Sequence, residues 1–319
     1  MKATARAHPI QGLIKYHGLR DEALNIPYHD SISMCTAPSK TETTVEFGYE
    51  TDTCLVNGEP IDEEGADRVR TVLDRVRRRA GIDSGARVVS RNTFASNVGL
   101  GASASAFAAL AVAAANAADL DLSRRELSVL ARHGAPSAAR SVTGGFSRLG
   151  ASTTDEQCAG SRIDAGFDAE IRTVVGLVPE HKHTSHAHEQ APESHLFDSR
   201  LAYIHDALAD MQAAISTGDF DAAFGLAEQD SISLLAVTMT GPENWFYWQP
   251  ETVQLWNVAT RLRADGVPVY FSADTGATAY LNTTSDHAER IAGEVESLGL
   301  ESMVWRVGGP ARCIDDHLF

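Results

Sequence analysis

Lysine is scarce in this chain, although charged side chains are not. Only four of the 319 residues are lysines, Lys2, Lys15, Lys40 and Lys182, whereas 43 are aspartate or glutamate. With 27 lysines and arginines in total, the formal net charge is −16. This excess of negative charge excludes nucleic acid and anionic membranes as partners, because both attract basic surfaces. An acidic surface that uses arginine in place of lysine also indicates a halophilic protein, since concentrated salt screens the like-charge repulsion.

Closely spaced cysteines and long apolar runs are also missing. The four cysteines, Cys35, Cys54, Cys158 and Cys313, are widely scattered, and no two lie at the spacing of metal ligands. They indicate reduced thiols and not a disulfide framework. No run approaches the ~20 apolar residues that cross a bilayer. The first nine residues lack the apolar core of a signal peptide. We therefore expect a soluble protein of the cytoplasm.

Helix-like and strand-like segments are mixed along the chain without strict alternation. Apolar periodicity predicts helices over about 63–79, 199–216, 220–237, 250–264 and 288–298. Alternating polarity predicts strands near 31–36, 43–47, 87–90, 267–271 and 302–307. Residues 180–193 are polar, rich in histidine and aperiodic, which predicts a solvated loop. This order favours an α+β protein with two lobes, one over residues 1–180 and one over 190–319.

A loop of small residues leads directly into an alanine-rich segment at residues 96–113. Gly99 and Gly101 allow the backbone to approach an anion closely, and the first turn of a helix offers unpaired N–H groups. Ser103 and Ser105 add hydroxyls that suit phosphate oxygens or a magnesium ion. The alternative is a tightly packed helix start that binds nothing. The pattern matches neither the Walker loop nor the dinucleotide fingerprint, so the loop alone leaves both interpretations open.

Four segments, taken together and in order, point to one family. Residues 12–22, Gly-Leu-Ile-Lys-Tyr-His-Gly-Leu-Arg-Asp-Glu, are followed by Asn92 and the glycine loop. Residues 137–146 read Ser-Ala-Ala-Arg-Ser-Val-Thr-Gly-Gly-Phe, and residues 270–277 read Tyr-Phe-Ser-Ala-Asp-Thr-Gly-Ala. These segments resemble the mevalonate diphosphate decarboxylases. The resemblance implies a GHMP-kinase fold, with an N-terminal ribosomal-S5-like lobe that holds the phosphate loop and a C-terminal ferredoxin-like lobe. It also implies ATP, Mg²⁺, a homodimer and a role in isoprenoid precursor synthesis.

The family's chemistry explains two of these residues. A 3-hydroxy acid does not readily lose carbon dioxide and hydroxide together, so ATP first phosphorylates the tertiary hydroxyl to make a leaving group. By resemblance, Asp274 orients and deprotonates that hydroxyl, although the spacing alone favours a turn or helix-cap aspartate. Lys15 lies in an apolar segment, where an unpaired ammonium is costly. We expect Lys15 to pair with Asp274 and with the transferring phosphate; the alternative is a surface lysine.

The resemblance also implies the binding residues. Arg140 offers a planar fork for a carboxylate or phosphate, with Ser137 and Tyr16 beside the substrate. The alternative for Arg140 is a solvated position on a helix. The residues expected to bind the nucleotide share a place near the glycine loop: Asn92, Gly99, Gly101, Ser103 and Ser105. Ser103 is also the candidate magnesium ligand. Helix capping is the alternative for Ser105, and packing is the alternative for Asn92.

The sequence departs from the family pattern on the substrate side. Where the family has a lysine and a tryptophan, this chain has Leu19 and His17, and Ala102 and Ala135 replace serines. The family's lysine is associated with the distal phosphate, and losing a charge-assisted contact costs about 1.5–3 kcal/mol. A substrate with one phosphate fewer fits this loss. The sequence therefore predicts mevalonate 5-phosphate as the substrate and isopentenyl phosphate as the product, as in the haloarchaeal phosphomevalonate decarboxylases.

The histidine-rich segment offers two candidate phosphate contacts, and three other functions remain as alternatives. His183 and His186 are candidates to contact the single phosphate, and the irregular histidine spacing favours a solvated loop over a metal site. The nearest rival function is decarboxylation of the 5-diphosphate. A mevalonate 3-kinase is a further alternative, although such relatives tend to lack the residues found here as Asp274 and Lys15. The last alternative is a non-catalytic ATP-binding protein.

Overall fold

The computed structural model describes residues 1–94, 100–179 and 184–319, without the side chains of residues 184–186. Within these ranges the strands are β1 (Lys2–Ala7), β2 (Ile10–Ile14), β3 (Leu19–Asp21), β4 (Ile26–Pro27), β5 (Ser31–Ala37), β6 (Thr41–Tyr49), β7 (Thr53–Val56), β8 (Glu59–Pro60), β9 (Gly85–Asn92), β10 (Phe146–Leu149), β11 (Gly160–Arg162), β12 (Ile171–Leu177), β13 (Val269–Ala273), β14 (Ala279–Thr284), β15 (Glu301–Val307) and β16 (Arg312–Ile314). The α-helices are α1 (Glu63–Ala80), α2 (Ala102–Ala117), α3 (Arg124–Arg132), α4 (Ala138–Thr143), α5 (Thr184–Gln190), α6 (Phe197–Thr217), α7 (Phe220–Met239), α8 (Pro250–Ala264) and α9 (Ala288–Ser297).

The first sheet has six strands in the order β16-β1-β6-β9-β7-β8. The β7–β9 pair is parallel, and the other pairs are antiparallel. Helix α2 packs on β1 and β6, and half of its residues are buried alanines. Because alanine is small, the helix axis lies close to the sheet, and side chains from α1 close the core around it. This packing fixes where α2 begins.

The second sheet has eight strands, seven of them in the order β11-β10-β5-β15-β12-β14-β13, with β2 paired to β5. Helices α6 and α7 pack against β2, and α7 and α8 pack against β13. The Gln11 side chain ties β2 to the other end of this layer. Its Nε2 donates to Ser272 Oγ at 2.7 Å and to Asn282 Oδ1 at 2.9 Å. These contacts bring the end of β2 beside the end of β13, which are the strands that precede Lys15 and Asp274.

The mixed α and β composition is confirmed, as are the five helices and five strands predicted above, with shifts of a few residues at their ends. Helix α3 begins with a capping box, in which Ser123 and Glu126 are bonded to each other's backbone N–H. The prediction of a loop over residues 180–193 is wrong in part, because residues 184–190 form α5. That helix has no apolar stripe in the sequence from which it could be predicted.

The two-lobe boundary between residues 180 and 190 stays a prediction, and the strands do not follow it strictly. Strand β12, from the first segment, pairs with β14 and β15. Strand β16, from the end of the chain, pairs with β1 in the first sheet. Among the described helices, none combines the length and the apolar character that crossing a membrane requires.

Candidate active site

An open cavity of about 830 Å³ lies where the start of α2 faces the segments that follow β2 and β13. Seven of the predicted site residues line it: Lys15, Tyr16, Gly101, Ser103, Ser137, Arg140 and Asp274. Residues that are far apart in the sequence therefore meet in one cavity. They come from segments next to the first sheet, such as the start of α2, and from segments of the second sheet, such as those after β2 and β13.

Gly12 allows Lys15 and Asp274 to approach each other. The Gly12 N–H donates to Asp274 Oδ1 at 3.0 Å. A Cβ atom at Gly12 would lie 2.7 Å from Lys15 Cγ and 3.0 Å from the same Asp274 oxygen. Because side chains do not tolerate such contacts, the strand needs glycine at this position. The carboxylate and the lysine chain thus flank one backbone atom at the cavity wall.

The anionic partner of Lys15 was not predicted. Lys15 Nζ lies 3.4 Å from Asp230 Oδ2 and donates to Ser231 Oγ at 2.9 Å, and both partners belong to α7. The expected pairing of this ammonium with Asp274 is therefore corrected to an ion pair with Asp230, with Asp274 on the same cavity wall. Sequence reasoning missed Asp230. A signal was present, since the residues three before and four after it, Ala227 and Leu234, are both apolar and place it on the buried face of α7.

Arg140 presents a buried cation to the cavity. Its side chain is 3% exposed, and its Nε and Nη1 atoms have no hydrogen-bond partner among the described residues. Burial lowers the pKa of its guanidinium, while the nearby Tyr16 and Asp274 act in the opposite direction. The group nevertheless stays protonated, because arginine titrates far above neutral pH. A buried cation with unpaired donors is an incomplete site, and an anion of the ligand would complete it.

Tyr16 and Ser137 lie beside this guanidinium. The Arg140 guanidinium carbon lies 5.6 Å from the centroid of the Tyr16 ring, a cation–π arrangement. Burial raises the pKa of the Tyr16 phenol to about 12, so its hydroxyl is a proton donor at neutral pH. Ser137 precedes the first residue of α4, and its side chain makes no cap bond to that helix. Its hydroxyl is available to a ligand in the cavity.

The start of α2 forms another part of the cavity wall. Gly101 has φ +69°, and a Cβ there would lie 2.6 Å from the Ile10 carbonyl oxygen, so glycine is required. The N-cap residue, Gly101, has no side chain to cap the helix, and the first turn contains no acidic residue. Residues 101–104 line the cavity, with Ser103 exposed, so the N–H groups at this helix start are suited to an anionic ligand there. This arrangement suits a phosphate group. The predicted site residue Gly99 lies outside the described residues.

Two predicted nucleotide-binding residues lie behind this wall. Ser105 is fully buried, and its hydroxyl is bonded to Thr41 Oγ1 at 2.7 Å and to the Ala102 carbonyl at 3.2 Å. Thr41 also donates to Asn92 Oδ1 at 2.7 Å. Neither Asn92 nor Ser105 is among the described residues that line the cavity. These contacts match the packing alternative for Asn92, whereas Ser105 is packed inside α2 and does not cap it. The binding roles of both residues stay predictions.

Two histidines line the cavity, His17 and His188, and neither is one of the two that were predicted to contact the phosphate. His183 and the side chain of His186 lie outside the described residues. His188, two residues further along α5, stacks on the Tyr16 ring with centroids 5.2 Å apart and accepts from the Gly18 N–H at 3.2 Å. His17 Nε2 is bonded to the Thr275 hydroxyl at 2.7 Å. The irregular histidine spacing in the sequence gave no means of selecting His188.

No group of three or more His, Cys, Asp or Glu side chains that could hold a metal occurs in the part of the chain that the structure describes. A magnesium ion is instead suited to this cavity by oxygen donors. Mg²⁺ is usually bound by few protein oxygens together with substrate phosphates and water. The hydroxyl of Ser103 at the start of α2 fits that requirement. The donor set is therefore compatible with magnesium only when a phosphate ligand is present.

Comparison with known proteins assigns the family. The family described as "Diphosphomevalonate decarboxylase-like N-terminal domain" matches residues 7–160. Over its whole length the chain resembles the phosphomevalonate decarboxylase of Haloferax volcanii, with 52% identity over 99% of this chain and 98% of the relative. The chain belongs to the mevalonate diphosphate decarboxylase family.

Solved structures of this decarboxylase family have the same fold. The mevalonate diphosphate decarboxylase of Staphylococcus aureus is 29% identical and superposes with a TM-score of 0.92 over 98% of both chains. The complex of MDDEF with MVAPP, AMPPCP and magnesium is also 29% identical, with a TM-score of 0.91 over 99% of both chains. The fold of this chain is thus that of the decarboxylases throughout, and not only in its first half.

The described residues of the cavity wall include few cations, and Leu19 is not one of these wall residues. Lys15 and Arg140 are the lysines and arginines among the described residues of the cavity wall. Leu19, which replaces the lysine of the family pattern, lies in β3, opposite Pro27 of β4. His17 replaces the tryptophan and is held by Thr275. The Asp230 carboxylate neutralises part of the positive charge of Lys15. Among the described residues of the cavity wall, Arg140 is therefore the cation whose charge is least neutralised by a protein carboxylate.

Proposed function

We propose that the chain catalyses the ATP-dependent decarboxylation of mevalonate 5-phosphate, giving isopentenyl phosphate, carbon dioxide, ADP and phosphate. One observation carries the proposal. Asp274, Lys15 and the incompletely bonded Arg140 meet in one cavity with the uncapped start of α2. A base, a cation and an anion site beside a phosphate-binding helix are the parts that this reaction needs.

The reaction proceeds in two stages at this wall. The Asp274 carboxylate accepts the proton of the 3-hydroxyl while the hydroxyl oxygen attacks the γ-phosphorus of ATP, and the bond from that phosphorus to ADP breaks. The new phosphate then leaves with its bonding electron pair. The electrons of the bond between the carboxylate carbon and C2 form the C2–C3 double bond, and carbon dioxide departs. Atoms and charge balance without an external oxidant or reductant.

Three groups support these stages. The Lys15 ammonium lies where it can offset the negative charge that develops on the transferring phosphoryl group. Arg140 binds the carboxylate or the 5-phosphate through the Nε and Nη1 donors that lack protein partners. The first turn of α2 and Ser103 hold the ATP phosphates. Magnesium, with Ser103 and the phosphates as ligands, would neutralise phosphate charge. Complexes of a relative with AMPPCP and magnesium support ATP and Mg²⁺ here.

We propose mevalonate 5-phosphate, and not its 5-diphosphate, as the substrate for two reasons. The relative with 52% identity is a phosphomevalonate decarboxylase, whereas the solved neighbours near 29% identity are diphosphate decarboxylases. The substitution by Leu19 also removes a cation that the family pattern associates with the distal phosphate. The second candidate function is therefore decarboxylation of the 5-diphosphate, which the solved neighbours favour.

Initial rates on the two substrates test the proposal. Purified protein in concentrated potassium chloride is assayed for ADP formation with Mg-ATP and either mevalonate 5-phosphate or its 5-diphosphate. We expect kcat/KM to favour the monophosphate by about 10-fold to 100-fold, the worth of one charge-assisted contact. A preference for the diphosphate would replace the first proposal with the second.

The family resemblance supports three further proposals, on the two lobes, the oligomeric state and the cellular compartment. We assign residues 1–180 to a ribosomal-S5-like lobe and residues 190–319 to a ferredoxin-like lobe of the GHMP-kinase type. We assign a homodimer, which light scattering in potassium chloride would test. We also assign the protein to the cytoplasm. The four cysteines are free thiols in the structure, which fits a reducing compartment.

A further inference from the structure

Three groups of Lys15 are held by residues of α6 and α7, namely Arg200, Asp230 and, at the ammonium, also Ser231. Its backbone N–H donates to Asp230 Oδ2 at 3.0 Å, and its carbonyl oxygen accepts from Arg200 Nη2 at 2.9 Å. Its ammonium lies 3.4 Å from the same Asp230 oxygen. Asp230 is part of α7 and Arg200 is part of α6. Helices α6 and α7 thus fix both the main chain and the side chain of Lys15, which directly follows β2.

Asp230 and Arg200 also bind each other. Arg200 Nη2 donates to Asp230 Oδ1 at 2.8 Å, and Arg200 Nη1 donates to Ser233 Oγ at 2.8 Å. Asp230 is fully buried, and Arg200 is 3% exposed. Removing two charges from water costs several kcal/mol per ion, and a well-packed apolar pair of similar volume stabilises a protein as well or better. Stability alone therefore does not account for charged residues at these two positions.

The charge balance of this cluster provides a reason. Two cations, Lys15 and Arg200, share the single carboxylate of Asp230, so the cluster keeps one positive charge at formal ionisation. Neither Asp230 nor Arg200 is among the described residues of the cavity wall, whereas Lys15 is. The net positive charge is therefore presented to the cavity through the Lys15 ammonium, on the wall that carries Asp274.

We propose that Asp230 and Arg200 are positioning residues for the reaction, which hold Lys15 so that its ammonium meets the transferring phosphoryl group. This inference rests on the proposed function. An ammonium on a four-carbon chain has many rotamers, and orienting it in advance lowers the cost of organising the transition state. The two residues act on turnover through Lys15 and do not touch the substrate.

The test compares two amide substitutions on the same helix. Asp230→Asn keeps the shape of the side chain and removes its charge. Glu228→Gln is the matched control, because Glu228 also lies on α7, also pairs with an arginine (Arg263, 2.8 Å) and also accepts a backbone N–H (that of Phe271, 2.9 Å). For D230N we expect kcat to fall by about 10-fold to 100-fold, the cost of a misplaced group. KM for ATP and for the phosphorylated mevalonate should change less than threefold, and E228Q should keep kcat within threefold of the wild type.

The outcomes separate this inference from the proposed function. A wild-type protein that forms no ADP with either substrate refutes the proposed function. A wild-type protein that turns over, with D230N at the same kcat, refutes the positioning role alone. Equal losses in D230N and E228Q also refute it, because they show a general effect of charge on α7. Should D230N not fold, Arg200→Lys serves instead. The lysine at this position keeps the positive charge but cannot bond the Lys15 carbonyl oxygen and the Asp230 carboxylate at the same time. A wild-type kcat in R200K would therefore overturn the inference.

Discussion

Arg140 yields the sharpest prediction, because ligand binding and protein stability should respond to its loss in opposite ways. Its guanidinium is buried with two donor atoms that have no partner among the described residues. Arg140→Met keeps the length of the chain and removes the charge and the donors. Unpaired buried donors destabilise a protein by about 1–3 kcal/mol each. We therefore expect the unfolding free energy of the ligand-free R140M protein to equal or exceed that of the wild type.

Ligand binding should weaken in the same variant. Two charge-assisted hydrogen bonds lost from an anion are together worth about 3 kcal/mol, which corresponds to a Kd about 100-fold higher. At a substrate concentration of 100 times the wild-type Kd, the substrate should stabilise the wild type by about 2.7 kcal/mol and R140M by only about 0.4 kcal/mol. Denaturant unfolding with and without mevalonate 5-phosphate measures both quantities.

Arg132→Met provides the control. Arg132 is also fully buried, but its three nitrogens are bonded to Cys158 O, to Leu24 O and to Asp155. R132M should lose about 1–3 kcal/mol of stability for each buried acceptor left unpaired, chiefly the Cys158 and Leu24 carbonyl oxygens, and should keep wild-type substrate stabilisation. The reasoning fails if R140M behaves like R132M, with lower stability and unchanged substrate binding.

Three further predictions follow from the site and its surroundings. Asp274→Asn should lower kcat by at least about 100-fold with ATP affinity retained, because a general base contributes 10²–10⁴; an unchanged kcat would contradict this. Leu19→Lys should raise kcat/KM for the 5-diphosphate by about 10-fold or more, and no gain would contradict the substrate assignment. Burial lowers the pKa of His29 to about 4, so the unfolded state binds the proton more tightly. Stability should fall by about 3 kcal/mol as pH drops from 6.5 to 4, and His29→Gln should flatten that decline.

The sequence predicted which residues share the site better than it predicted their partners. Lys15, Arg140 and Asp274 come from three distant segments and line one cavity. Their meeting was predicted from resemblance to a family, because no local pattern encodes contacts between the ends of β2 and β13. The Gln11 side chain, which ties these strands together, carries no sequence signal that separates it from a surface glutamine.

Asp230 and Arg200 show what local patterns could have added. Both are charged residues on apolar helix faces. Arg200 has Phe197 three residues before it and Ile204 four residues after it, and all three are buried. A charge at such a position requires a buried partner. The partner's identity depends on how α6, α7 and β2 pack, which is tertiary information. Helix α5 was missed for the opposite reason, since its polar sequence has no apolar face.

Product stoichiometry with mevalonate 5-phosphate tests the central claim most directly. Carbon dioxide released from carboxyl-labelled substrate is measured beside ADP in one reaction with Mg-ATP. We expect carbon dioxide and ADP to form in equal amounts, with isopentenyl phosphate as the organic product. ADP formation without carbon dioxide would identify a 3-kinase and contradict the account.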